Sequence, residues 1–178
     1  NSLWMTPIEG SKALFVTEDP LDAIAHSQLF PGARYAYLCT GGTSTKAQRE
    51  MIHSFSQKFK LPIILGNDND LAGQLENFKL AYHTANIEYA INSKTQRVLL
   101  TVNGAEREWG KDEIVAALQA VMKQRPNMIL SIPWAKDWND DLRSSKKSIS
   151  LRIAENMARV QIETTKSEQR GMIAGKLP

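Results

Sequence analysis

The chain has 178 residues, 42% of them hydrophobic and 23% charged, with a formal net charge of +3; this suits one packed domain with an added subdomain or tail and excludes a nucleic-acid binder announced by composition alone. A single cysteine, Cys39, excludes an internal disulfide framework, and the scattered His26, His53 and His83 give no zinc-type ligand spacing. No apolar run approaches the roughly 20 residues that span a bilayer, and the start "NSLWMTPIEG" has no charged n-region or apolar h-region, so no membrane and a reducing, cytoplasmic setting are expected.

The first residue is Asn1 rather than Met, which suggests a piece of a longer polypeptide, with other domains of the parent chain as partners. After an N-terminal segment, 1–11, "ALFVT" (13–17) reads as a strand. "EDPLDAIAHSQL" follows with Leu21, Ile24, Ala25 and Leu29 at helical spacing. Asp19 is placed to cap that helix, Pro20 suits its first position, and Asp22 lies where the helix dipole favours negative charge. A second unit has "YAYLCT" as strand, Gly41 and Gly42 as turn, and a helix with Ile52, Phe55 and Phe59 on one face. Thr45 and Gln48 match a capping box.

The third unit runs from "LPIIL" through "GNDND" into a helix carrying Leu71, Leu75, Phe78, Tyr82 and Ala85. Three successive strand-helix units predict an α/β fold, a Rossmann-like three-layer sandwich with a mostly parallel central sheet. Beyond them, "IEYAI" and "RVLLTV" are expected strands, "NGAEREWG" a turn-rich connection, and "KDEIVAALQAVMKQ" a helix with Ile114, Val115, Leu118 and Met122 inward. "NMILSIP" reads as a last buried strand leading into "WAKDWNDDL". From Arg143 to Pro178 eight Lys or Arg stand against three Glu. The segment 148–178 therefore reads as a basic C-terminal helix or tail, with a solvated helix the simpler account of its charge.

In an open parallel sheet, ligands bind beyond the carboxyl ends of the strands. Glu18 ends the first strand, Asp68 and Asp70 the third, and Asp137 and Asp140 follow the last, so all are expected on one rim. Crowded carboxylates raise one another's pKa unless a cation shares them, and an all-oxygen donor set favours Mg²⁺ or Mn²⁺ over zinc. Each acid also has a structural account: Asp70 as a helix cap, Asp68 in an Asx turn. Glu18 has none, because glutamate caps helices poorly.

The combination resembles the Toprim domain, the metal-binding module of bacterial-type primases, topoisomerases and certain nucleases. The residues that carry the resemblance are "VTEDPLDAIA" with Glu18 and Asp22, then Asp68-Asn69-Asp70-Leu71-Ala72-Gly73, then Lys136-Asp137-Trp138-Asn139-Asp140. The last resembles the "KDWN" element of primase-like and plasmid-mobilisation proteins. A domain over 12–147 is implied, with an inserted strand-helix unit at about 92–125. Asp19 stands where primases usually have glycine.

The resemblance implies a Mg²⁺-dependent (or Mn²⁺-dependent) domain acting on DNA or RNA by nucleotidyl transfer or phosphodiester cleavage. Glu18, Asp68 and Asp70 would be catalytic, Glu18, Asp68, Asp70 and Asp137 would hold metal, Lys136 would contact phosphate, and Asp22, Asn139 and Asp140 would support them. Simpler accounts are an ordinary surface lysine for Lys136, a packing anchor for Trp138 and a turn residue for Asn139. Asn69 reads as a spacer. A non-catalytic Toprim-like module is one alternative. A phospho-accepting receiver domain is another, with Glu18-Asp19, Asp68 and Lys136 imitating its acids and lysine, although Asp70 and the chain length argue against it. A haloacid-dehalogenase-type phosphatase ranks last, since its Asp-x-Asp lies on the first strand.

Overall fold

A computed structural model of the protein describes residues 2–146. The expected tail at 148–178 lies outside the described residues, and the compact unit they build ends at Leu142. Its centre is a five-stranded sheet in the order β1 (Trp4–Met5), β3 (Tyr35–Cys39), β2 (Ala13–Thr17), β4 (Ile63–Leu65), β8 (Met128–Leu130). β3, β2, β4 and β8 run parallel, and β1 pairs antiparallel with β3. The mostly parallel sheet expected from three strand-helix units is present.

β2 and β4 are buried along their whole length, as befits parallel strands covered on both faces. Alternation divides their side chains. Leu14, Val16, Leu38, Ile63 and Leu65 join a core with Ile52 of α2 (Lys46–Phe59), Leu75 and Phe78 of α3 (Leu71–Ala81), and Ile114 and Leu118 of α4 (Lys111–Gln124). Phe15, Tyr37, Cys39 and Ile64 form the opposite core with Ala23 and Ala25 of α1 (Pro20–Leu29) and Trp138, the first residue of a helix α5 over 138–146. Three layers result.

The expected face of α1 is corrected. Leu21 is 62% exposed and Ile24 46%, whereas Asp22, Ala23, Ala25 and His26 are buried. The surface beneath α1 is aromatic: Phe15 and Tyr37 of the sheet and Trp138 of α5 all lie within 6 Å, centroid to centroid, of the His26 ring. Such a surface accepts alanines and a flat ring more closely than branched side chains, so the helix turns Asp22 toward the rim and Leu21 to solvent. The caps are as expected. Asp19 accepts the Leu21 N–H at 2.6 Å, and Thr45 and Gln48 form a reciprocal capping box.

The inserted unit also differs from expectation. It is a three-stranded antiparallel sheet, β5 (Ile87–Asn92), β6 (Arg97–Val102) and β7 (Ala105–Gly110), followed by α4. It begins five residues before the expected start, and most of "NGAEREWG" is strand, not connection. Asn103 and Gly104, both at positive φ, form the two-residue hairpin turn that their types favour. Pairing then sets Ala105, Arg107 and Trp109 opposite Val102, Leu100 and Val98, leaving Glu106 and Glu108 on the other face. The charge on that other face hid the strand.

Candidate active site

The carboxyl ends of β2, β3, β4 and β8 open onto one rim, and the loops there are tied together. The Gly41 N–H donates to the Glu18 carbonyl at 2.8 Å, joining the β3 turn to the end of β2. Asn67 follows β4 and accepts no hydrogen bond on its buried Oδ1; its own amide donates to Asn77 Oδ1 of α3 at 3.0 Å. Gly73 lets the loop lie flat on α3, since a Cβ there would stand 2.3 Å from the Asp68 carbonyl oxygen.

Asp70 caps its helix as foreseen and also faces a lysine. Its Oδ1 caps α3 by accepting the Gly73 N–H at 2.9 Å, and its Oδ2 lies 3.8 Å from Lys136 Nζ. Asp22 Oδ1 accepts from Asn139, at 3.0 Å from the side chain and 3.4 Å from the backbone N–H. Asp137 caps α5 through the Asp140 N–H at 2.8 Å. Trp138 is buried and donates from Nε1 to the Gly66 carbonyl at 2.8 Å, which makes it a packing anchor.

The charges act on one another. Burial, then Asp22, Asp70, Glu18 and Asp137, push the Asp68 carboxyl up to about 7. Burial and then Asp137 push Asp22 up to about 6, against the lowering effect of the Asn139 hydrogen bonds. Glu18 is raised by burial first, then by Glu76, Asp70 and Asp19, with Lys136 opposing. Glu18, Asp22, Asp68, Asp70 and Asp137 therefore share one electrostatic neighbourhood. Among the described residues no three His, Cys, Asp or Glu side chains converge as a finished metal cage. The donor chemistry still fits a hard divalent cation, because the Glu18, Asp22 and Asp68 carboxyls are raised first by burial and then by neighbouring acids, a cost that a cation relieves.

Residues 15–98 match the Toprim-like family. That stretch includes Glu18, Asp22, Asp68 and Asp70, so the resemblance seen in their spacing is borne out; Lys136 to Asp140 lie beyond it. Toprim domains act on nucleic acids and generally bind Mg²⁺. No curated protein and no solved structure matches the chain. Among the described residues no helix is long and apolar enough to cross a membrane.

Two residues around the Toprim-like acids, Glu76 and Lys111, were given no role from the sequence, and Asn69 was given too small a one. Glu76, buried on α3, accepts the Ser44 N–H at 3.0 Å and the Ser44 hydroxyl at 2.7 Å through Oε2, and pairs with Lys79 at 2.5 Å through Oε1. It thus fixes the turn after β3 beside Glu18. Lys111, the first residue of α4, places Nζ 3.3 Å from Asn69 Oδ1. Asn69 is more than a spacer: its N–H donates to the Lys136 carbonyl at 2.7 Å and its Nδ2 to the Pro133 carbonyl at 3.1 Å. Its place between two aspartates was the only signal. A cavity of about 490 Å³ lies on the α1 side, lined by Phe15, His26, Phe30, Tyr35 and Ile129 among others, and none of the rim acids lines it.

Proposed function

We propose that this chain is the Mg²⁺-dependent (or Mn²⁺-dependent) catalytic part of a larger primase-like or mobilisation protein, performing nucleotidyl transfer or phosphodiester cleavage on DNA or RNA. The observation that carries the reading is the mutual influence of Glu18, Asp22, Asp68, Asp70 and Asp137 at the strand ends of a Toprim-like segment, with Asp68 driven up to about 7. Asp68, Asp70 and Asp137 would hold the cation, which leaves Glu18 for proton transfer. Bound there, it would supply neutralisation of the charge that develops on phosphate oxygens.

The chain's own residues have separate tasks. Glu18, raised by burial and its acidic neighbours, is the group suited to move a proton at the attacking or leaving oxygen. Lys136, exposed and 3.8 Å from Asp70, would turn to a phosphate once a cation replaces it as the partner of Asp70. Asp22 and Asn139 hold the first and third acidic elements against each other, and Asp140 opens α5 over Asp137.

A non-catalytic Toprim-like module is the second reading, favoured by the Lys136–Asp70 ion pair and the lack of a finished cage among the described residues. Titration calorimetry with Mg²⁺ and Mn²⁺ separates the two. The catalytic reading expects binding that Asp68→Asn abolishes, and Mg²⁺-dependent primer synthesis or strand cleavage by the full-length protein that Glu18→Gln abolishes. Activity that survives both substitutions would overturn it.

A further inference from the structure

We propose that Trp134 is a base-stacking platform for a single nucleic-acid strand whose phosphates are held by Lys111 and Lys136. The proposal rests on the nucleic-acid reading given above and names the form of substrate and the residues that grip it. Trp134 is 96% exposed, whereas Trp138 four residues on is buried. An indole left wholly in water contributes no burial to the fold, so its surface is available to a ligand.

Its mounting is rigid. The Asp141 carboxylate accepts the N–H of Trp134 at 2.8 Å and of Ala135 at 2.7 Å. On either side, the Pro133 and Lys136 carbonyls accept from Asn69 at 3.1 and 2.7 Å. The indole therefore stands on a short bridge fastened twice to the residue between Asp68 and Asp70. An exposed aromatic ring held beside charged groups that handle phosphate is the arrangement that single-strand binders use.

Lys111 reaches Asn69 from the inserted unit, with Nζ 3.3 Å from Oδ1 and 3.4 Å from the backbone oxygen. The insert fixes it there. Glu113 Oε2 accepts the Gly110 N–H at 2.7 Å and pairs with Arg97 of β6 at 2.9 Å, which locks the start of α4. Two ammonium groups thus converge on the same loop, Lys111 at Asn69 and Lys136 at Asp70. They offset the repulsion that rim carboxylates would exert on a phosphodiester. Duplex bases are already stacked and have no free face, so a single strand is the form that fits.

The test is fluorescence anisotropy of a short labelled oligothymidylate with the full chain in Mg²⁺, with calorimetry of Mg²⁺ alone in parallel. Trp134→Ala should weaken strand binding about tenfold, Trp134→Phe should retain most of it, and neither should change Mg²⁺ affinity. Lys111→Ala should weaken binding and lower the slope of log affinity against log salt by about 0.7. Strand binding unchanged by Trp134→Ala, with Mg²⁺ binding intact, would overturn the platform and leave the catalytic reading standing. Wild-type protein that binds neither Mg²⁺ nor the strand would overturn both.

Discussion

Asn139 Nδ2 donates to Asp22 Oδ1 at 3.0 Å, joining residues 117 positions apart and fastening the start of α5 to the start of α1. This bond brings the "KDWND" element against the first acidic element, and it favours the ionised form of Asp22 against burial and the charge of Asp137. Asn139→Ala should therefore raise the Asp22 pKa above about 6 and destabilise the fold by about 1.5 to 3 kcal/mol at pH 8, since the acceptor is charged. The loss should shrink at pH 5, where Asp22 is protonated. Urea unfolding at the two pH values measures both, and equal losses would mean that the bond does not report on the charge of Asp22.

The folded-state carboxyls of Asp68, at about 7, and Asp22, at about 6, lie above their unfolded value of 3.8. The folded state therefore binds more protons between those limits, and its stability falls as pH rises. In chelator, the melting temperature should be highest below about pH 4 as far as these two groups decide it, and should decline from there until about pH 7. Asp22 is buried but Asp68 is only partly so, and solvent screening at Asp68 should hold the whole effect to about 1 to 2 kcal/mol. Mg²⁺ should reverse the decline above pH 7, and Asp68→Asn should remove most of it. Differential scanning fluorimetry across pH, with and without Mg²⁺, reads each outcome.

Gly73→Ala sets two effects against each other. Alanine favours an exposed helix by about 1 kcal/mol over glycine, but its Cβ would stand 2.3 Å from the Asp68 carbonyl oxygen. The neighbour is backbone and cannot rotate away, so the clash should win. A net loss of about 1 to 3 kcal/mol is expected in urea unfolding, together with weaker Mg²⁺ binding as the loop lifts from α3.

The parallel core was legible because β2, β3 and β4 are short apolar runs each followed by a capped helix, and the rim position of Glu18, Asp68 and Asp70 followed from their place at strand ends. Two parts were not. β7 carries Glu106, Arg107 and Glu108, so its strand character comes from pairing with β6 rather than from its own hydrophobicity. The burial of Ala23 and His26 in place of Leu21 and Ile24 depends on the aromatic surface under α1, which only the assembled sheet creates. Lys111 and Trp134 were hidden likewise, since their nearness to Asn69 needs the insert and the loop after β8 in place.

Lys79→Met should show that the turn after β3 depends on a buried ion pair. Glu76 and Lys79 are both buried and 2.5 Å apart, and Glu76 also receives the Ser44 N–H and hydroxyl. Methionine keeps the volume but leaves the Glu76 carboxylate inside with only hydrogen-bond donors, which should cost about 3 to 5 kcal/mol in urea unfolding. Replacing both partners, Glu76→Gln with Lys79→Met, removes the stranded charge while the amide can still bind Ser44. The double variant should thus recover much of that loss. Because Glu76 is the largest acidic influence on Glu18 after burial, the double variant should also lower the Glu18 pKa, readable by carboxyl NMR titration. A double variant no more stable than Lys79→Met would mean that the lysine stabilises by packing rather than by charge.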